Sequence, residues 1–416
     1  MSHQPNDGVT LNGTLLPDDV VPNRTDPANT ASNGPAALNE QTLGDYRSER
    51  SITRERAEEA RPYDLVILSS FGGPEGPDEV LPFLRRVTAG RGIPDERLVE
   101  VGAHYSHFGG RSPINDQNRA LKAALEAELA RRGIELPVLW GNRNWHPYVT
   151  DVVAQAHAEG KQNLLGLATS AYSSYSGCRQ YREDFGMALR DLDLADQLRI
   201  DKLRHYFNLE GFLAPVADGV VAGVRQLVEA GVGAEGLMVM YSTHSVPDTM
   251  ADASGPADTR KALSGGWYVA QHQAAIDWVH ARVEAETGLT LAHELVFQSR
   301  SGNPRQPWLE PDINDAIEDA AQAGRTGTVC VPIGFVSDHV EVVWDLDTEA
   351  KETAEELGLA FVRTPTAGTD PRFVAALVDR PSTWLRQSTP HRTALVESRT
   401  FAPWPHQSLA ICLPTA

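Results

Sequence analysis

The chain has 416 residues, 41% of them hydrophobic and 22% charged, a globular composition long enough for two domains. With 56 acidic against 37 basic residues its formal net charge is −19, which argues against nucleic acid as the main partner, because a phosphate polyanion needs a basic face. Three widely separated cysteines, Cys178, Cys330 and Cys412, make no disulfide framework; no apolar run approaches the ~20 residues of a membrane helix, and no basic-then-apolar signal opens the chain. A cytoplasmic protein without stable membrane insertion is expected.

Residues 1–62 are rich in Asn, Asp, Pro, Gly, Thr and Ser and show no sustained apolar period. They read as a disordered extension, with a short charged helix over Arg47–Ala60 as its one candidate element. Folded sequence begins at Tyr63. A first strand is expected at Leu65–Ser70, followed by the turn Phe71–Gly72–Gly73–Pro74, where backbone can approach a ligand. A second turn, Gly109–Gly110–Arg111–Ser112–Pro113, leads into a helix over Asn115–Arg132; an arginine and a hydroxyl at a helix start suit a carboxylate. Strands are expected next at Pro137–Gly141 and Leu164–Thr169. The segment Thr169–Tyr181, with small hydroxyls and three tyrosines, suits an aromatic ligand and an ordinary loop equally.

Arg199–Phe212 reads as the passage between lobes. Beyond it, strands at Leu237–Ser242, Leu295–Gln298, Thr328–Ile333 and Ala360–Arg363 alternate with helices at Phe212–Ala230, Gly265–Thr287 and Asp338–Leu357. Short, nearly all-apolar strands alternating with amphipathic helices describe doubly wound parallel sheets buried on both faces. The expected divisions are the extension 1–62, an N-terminal lobe 63–210, a C-terminal lobe 211–370, a C-terminal helix 371–390 and a tail 391–416. Ligands of such folds sit beyond the carboxyl ends of the strands, often between two domains.

Two segments at strand ends carry the chemistry. Thr243–His244–Ser245–Val246–Pro247 places an imidazole that can ligate a metal or accept a proton, although a histidine satisfied by backbone hydrogen bonds is the commoner case. After Thr328–Ile333, Ser337 or Asp338 is the expected N-cap of a helix bearing Glu341, Asp345 and Glu349 at i, i+4 and i+8 on one face. Three like charges in a row repel by roughly a few tenths of a kcal/mol per pair. Hard cations or protons would make use of them; a solvated acidic face is the competing reading. There is no Walker pattern and no full dinucleotide fingerprint after a strand.

In order and spacing, Phe71–Pro74, Gly109–Pro113, Ser242–Pro247, Gln298 with Pro307–Trp308–Leu309, and Gly334–Asp347 resemble the ferrochelatase family, over Tyr63 to Leu385. The loop Trp140–Pro147 and Cys178 resemble its actinobacterial branch, which inserts iron into coproporphyrin III ahead of decarboxylation to haem. The resemblance implies an α/β fold of two Rossmann-like, chelatase-like domains with the active-site cleft between them. It implies a lyase that takes Fe(II) as substrate into coproporphyrin III, releasing two protons and giving coprohaem in haem b biosynthesis. Insertion into protoporphyrin IX, cobalt insertion in corrinoid synthesis, and a non-enzymatic two-lobed tetrapyrrole-binding protein are the alternatives.

Carried over residue by residue, the resemblance places His244 and Glu341 at the iron as catalytic and metal-contacting groups, His244 accepting porphyrin protons or ligating iron. Asp345 and Glu349 become an acidic path for iron or protons. Ser112 and Tyr181 match substrate-contact positions, and Arg85 and Arg111 are propionate partners by charge. Phe71 stands where some relatives present a tyrosine to the bound iron, so no axial phenolate is expected. Many actinobacterial relatives carry a [2Fe–2S] cluster on four cysteines; here Cys330 falls in a core strand and no C-terminal cysteine cluster exists, so no iron–sulfur ligands are assigned. A monomer making transient contacts with neighbouring haem-pathway enzymes is expected.

Overall fold

The computed structural model describes residues 63–90, 92–255, 264–300 and 305–386, with backbone alone over 380–386. The expected extension 1–62, its helix Arg47–Ala60 and the tail 391–416 lie outside the described residues.

Two four-stranded sheets form the frame, and both are fully parallel. The first holds β1 (Leu65–Ser70), β2 (Val138–Asn142), β3 (Asn163–Ala168) and β4 (Arg199–Lys202) in the order β2-β1-β3-β4. The second holds β5 (Leu237–His244), β6 (Ala292–Gln298), β7 (Gly327–Val331) and β8 (Ala360–Arg363) in the order β6-β5-β7-β8. Each sheet starts on an inner strand, adds an edge, then crosses back and runs outward, so the two repeat one topology. Central strands β1 and β7 are buried at every residue, which explains their unbroken apolar sequence. The α/β class and the two Rossmann-like layers are as expected.

One strand departs from expectation. β4 lies inside the segment read as an interlobe passage. Its sequence Arg-Ile-Asp-Lys is charged because it is a short edge strand, where Arg199 pairs with Asp201 at 2.6 Å and the Tyr63 hydroxyl donates to Asp201 at 3.2 Å. At β7 the expected strand overshoots: Pro332 has no N–H for the ladder, and pairing stops at Val331.

Four helices shape the site and its supporting core: α1 (Pro77–Val87), α2 (Asp95–His107), α3 (Ile114–Arg131) and α4 (Glu210–Glu229). By length and composition α4 could cross a membrane, with a mean hydropathy of 1.2. It reads apolar on most sides because it lies in the protein core, Phe212, Leu213, Val220 and Val224 being buried. The C-terminal helix Pro371–Arg386 packs on both α3 and α4. Arg132, just past α3, reaches it through an ion pair with Asp379 and a 3.2 Å hydrogen bond to the Ala375 carbonyl. One apolar cluster runs from Val66 and Leu68 of β1 through α4 to Val239 of β5 and Val329 of β7, so the sheets share a core.

Candidate active site

The site begins where β5 ends. His244 is the last residue of that strand and is buried. The chain behind it is held by a strand-like pairing with Pro307–Leu309: Leu309 N–H donates to Val246 O at 3.0 Å, and Ser245 Oγ donates to Leu309 O at 2.8 Å. From the other side the Tyr268 hydroxyl donates to His244 O at 2.8 Å and shares a 2.9 Å hydrogen bond with Thr243 Oγ1.

Within the ring, Nδ1 is hydrogen-bonded to the Ser245 carbonyl. A carbonyl only accepts, so Nδ1 carries the proton and Nε2 presents its lone pair. Burial drives the pKa of His244 down to about 4, against the opposing pull of that hydrogen bond, which keeps the ring neutral near pH 7. Nε2 lies 3.7 Å from Oε2 of Glu341, itself buried. Two electron-pair donors facing each other at that distance suit a proton or a cation between them.

Glu341 sits on α5 (Val340–Trp344), a single turn. The helix expected over Asp338–Leu357 is interrupted: α5 passes into a π-helical turn, Asp345–Glu349, and then into α6 (Ala350–Glu356). Its N-cap is His339 rather than Ser337 or Asp338, with no side-chain cap bond. A π-turn admits an extra residue, a cost usually met at functional sites. Val340 packs among Val80, Phe83, Leu84, Val101 and Tyr105 of the first lobe, which sets Glu341 against the lobe boundary. Burial, with Glu341 nearby, pushes the Tyr105 phenol well above its ordinary pKa.

The acidic row continues from Glu341 into the π-turn. Asp345 accepts from Ser299 Oγ, and from Gln298 Nε2 at 3.1 Å. Gln298 in turn accepts from Ser242 Oγ at 2.6 Å, tying the carboxylate to β5. Burial raises the Asp345 pKa to about 7, with Glu349 adding to it while Ser299 and Gln298 oppose it. Glu349 is also raised, chiefly by burial, and accepts from Trp344 Nε1 at 2.9 Å.

One functional candidate was missed from sequence. His339, two residues before Glu341, is held at a pKa of about 3 by burial and, secondarily, by His244. Its signal was present: a second imidazole directly ahead of the acidic row.

The other expected residues divide into two groups. Phe71 follows β1 and packs edge-on to Phe83, 6.3 Å between centroids, beside the cluster that takes in Val340. Ser112 is buried against Gly73, and its N–H donates to Pro74 O at 2.9 Å, so the two expected glycine turns meet. Gly110 has φ +77°, and a Cβ there would lie 2.5 Å from the Pro77 Cα, so no other residue fits. Arg111 pairs with Glu75 at 3.3 Å and Asp116 at 2.7 Å. Arg85 is exposed and paired with Asp95, with no contact to the His244–Glu341 pair among those described. Tyr181 is buried under the Arg143 guanidinium, 4.4 Å from its ring centroid, while Arg143 pairs with Asp184 at 2.7 Å. Nearby Cys178 is buried, and Cys330 in β7 is a buried free thiol.

The family model described as Ferrochelatase matches residues 63–383. This chain belongs to the ferrochelatase family.

Among curated ferrochelatase relatives, coproporphyrin III ferrochelatase of Leifsonia xyli subsp. xyli is 55% identical over 332 residues, covering 78% of this chain and 85% of that protein. Its counterpart from Streptomyces griseus subsp. griseus is 54% identical over 321 residues, covering 76% and 84%. The ferrochelatase of Rhodopirellula baltica is 45% identical over 318 residues, covering 76% and 84%. Among solved structures, the sirohydrochlorin chelatase SirB of Bacillus subtilis subsp. spizizenii, in complex with cobalt, aligns at a TM-score of 0.43 and 8% identity, over 78% of this chain and 97% of that one. As a ferrochelatase the protein is a metal chelatase of the lyase class, with iron and a porphyrin as substrates.

Proposed function

We propose that the porphyrin is coproporphyrin III and that the product is its Fe(II) complex. Curated relatives at 54–55% identity support this, because they carry coproporphyrin III in their names. Coproporphyrin brings four propionates, and the turn carrying Arg111 and Ser112 offers a guanidinium and a hydroxyl as donors for them. A propionate there would compete with Glu75 and Asp116 for the Arg111 guanidinium. Arg85, already paired and exposed, is the weaker candidate.

The reaction exchanges two pyrrole N–H protons for Fe(II). His244, neutral and with Nε2 unprotonated, accepts a proton or contacts iron, and Glu341 does the same from across the 3.7 Å gap. A cationic side chain in place of either would repel the incoming iron and could not accept the proton. Asp345 and Glu349 continue the acidic row as the path for iron or protons. Tyr181 and Phe71 serve porphyrin packing rather than ligation. The observation that carries the reading is the His244–Glu341 pair; the test is Glu341→Gln, which should stop metallation and leave porphyrin binding in place.

We also propose that no [2Fe–2S] cluster is bound, since the sequence has three cysteines and a four-thiolate site needs four. The lobe boundary at 210/211, the monomeric state and transient contacts with neighbouring haem-pathway enzymes belong to the same proposal.

A further inference from the structure

The acidic row stands on a helix broken by a π-turn, and something must keep that break in register. Arg363, the last residue of edge strand β8, does so from outside the helix. Its Nε donates to Asp347 Oδ1 at 2.6 Å and its Nη2 to Asp347 Oδ2 at 2.8 Å, a two-pronged grip on the middle of the π-turn. Its remaining prong, Nη1, donates to Asp338 Oδ1 at 3.0 Å. Asp338 precedes α5, and its own N–H donates to Gln117 Oε1 of α3 at 2.8 Å, across the lobe boundary. One planar guanidinium thus fastens both ends of the segment that carries Glu341 and Asp345.

We propose that Arg363 is a positioning residue for metal insertion, holding Asp338 and Asp347 so that Glu341 and Asp345 keep one orientation toward His244. This rests on the roles proposed above for Glu341 and Asp345. Relaxing the π-turn to a regular helix would remove one residue from the turn and swing Glu349 and everything after it by ~100° about the axis. A rigid five-donor fork can grip two carboxylates at once, whereas a lysine offers a single point charge. Side-chain exposures of 16% for Arg363 and 19% for Asp338 place that arm of the clamp partly out of solvent, while Asp347 at 37% is more open, so the Asp338 arm counts for more than a surface pair.

The test compares Arg363→Lys and Asp347→Asn with the parent chain in three measurements: anaerobic Fe(II) turnover, metal-free porphyrin affinity by fluorescence quenching, and thermal midpoint. Arg363→Lys should lower kcat at least tenfold, with porphyrin Kd within twofold and the midpoint within a few degrees. Asp347→Asn should move kcat the same way. A folded Arg363→Lys with parental kcat overturns the inference, and so does a kcat loss matched by an equal loss of porphyrin affinity. If Arg363→Lys does not fold, Asp347→Asn decides by the same thresholds. Glu341→Gln is run in parallel: turnover there overturns the proposed function itself, whereas an inactive Glu341→Gln beside an unaffected Arg363→Lys overturns this inference alone.

Discussion

Nε2 of His244 and Oε2 of Glu341 lie 3.7 Å apart, although one residue ends a strand and the other opens a helix after the next-but-one strand. The parallel sheet produces this meeting, since β5 and β7 are adjacent and both deliver their following segments to the same end. Because the imidazole is neutral and its Nδ1 proton is spent on Ser245, both facing atoms are electron-pair donors.

Glu341→Gln keeps the shape and removes the charge. Metallation by this variant should fall by ~10²–10⁴-fold, the range for losing a positioned acid–base group. Porphyrin fluorescence titration should show parental affinity, which separates a lost reacting group from a lost pocket.

Asp345 offers a pH signature. With its pKa at about 7 against an ordinary 3.8, it is protonated below neutrality, so kcat should climb as pH rises through about 7. The same shift destabilises the fold: between 3.8 and 7 the folded state holds a proton that the unfolded chain has released, so stability falls as pH rises across that window. Asp345→Asn should therefore melt higher than the parent at pH 8 while losing the pH limb and roughly tenfold or more of kcat. A variant that keeps the limb would assign it elsewhere.

Acid should unfold the protein through its buried histidines. His272 is fully buried, stacked on Tyr172 at 3.6 Å between centroids, and burial brings its pKa from 6.5 to about 3. Between those values the unfolded chain binds a proton that the native state refuses, so stability is intact above about 6.5 and drains away as pH falls toward 3. His244 and His339 act in the same direction. Three lowered histidines outweigh the opposing contribution of Asp345, so urea midpoints should be lower at pH 4 than at pH 7, and His272→Gln should shrink that difference.

Much of the frame was legible in the residues. Leu65–Ser70 and Ala360–Arg363 have the strand limits read from their apolar runs; in Leu65–Ser70 burial on both faces explains the unbroken run. β4 escaped because an edge strand of four residues, three of them charged, looks like a loop. The acidic row was legible as spacing, yet its π-turn was not. The turn depends on Arg363 meeting Asp347 and Asp338 across a helix-to-strand contact, which local sequence does not encode. Arg85 and Arg111 were chosen by charge alone, and charge does not reveal that Asp95, Glu75 and Asp116 have already claimed them.

Visible absorbance of freshly purified protein, without added porphyrin, should show no iron–sulfur band between roughly 400 and 600 nm, the three cysteines being one short of a cluster site. Such a band, with acid-labile sulfide, would require a fourth ligand beyond the three cysteines.

The central claim is tested most directly by anaerobic turnover with Fe(II), comparing coproporphyrin III with protoporphyrin IX at matched concentrations. The account predicts that kcat/KM for coproporphyrin III exceeds that for protoporphyrin IX by at least tenfold, and that Glu341→Gln abolishes both. Equal or greater efficiency with protoporphyrin IX would contradict the substrate assignment, and normal turnover by Glu341→Gln would contradict the site.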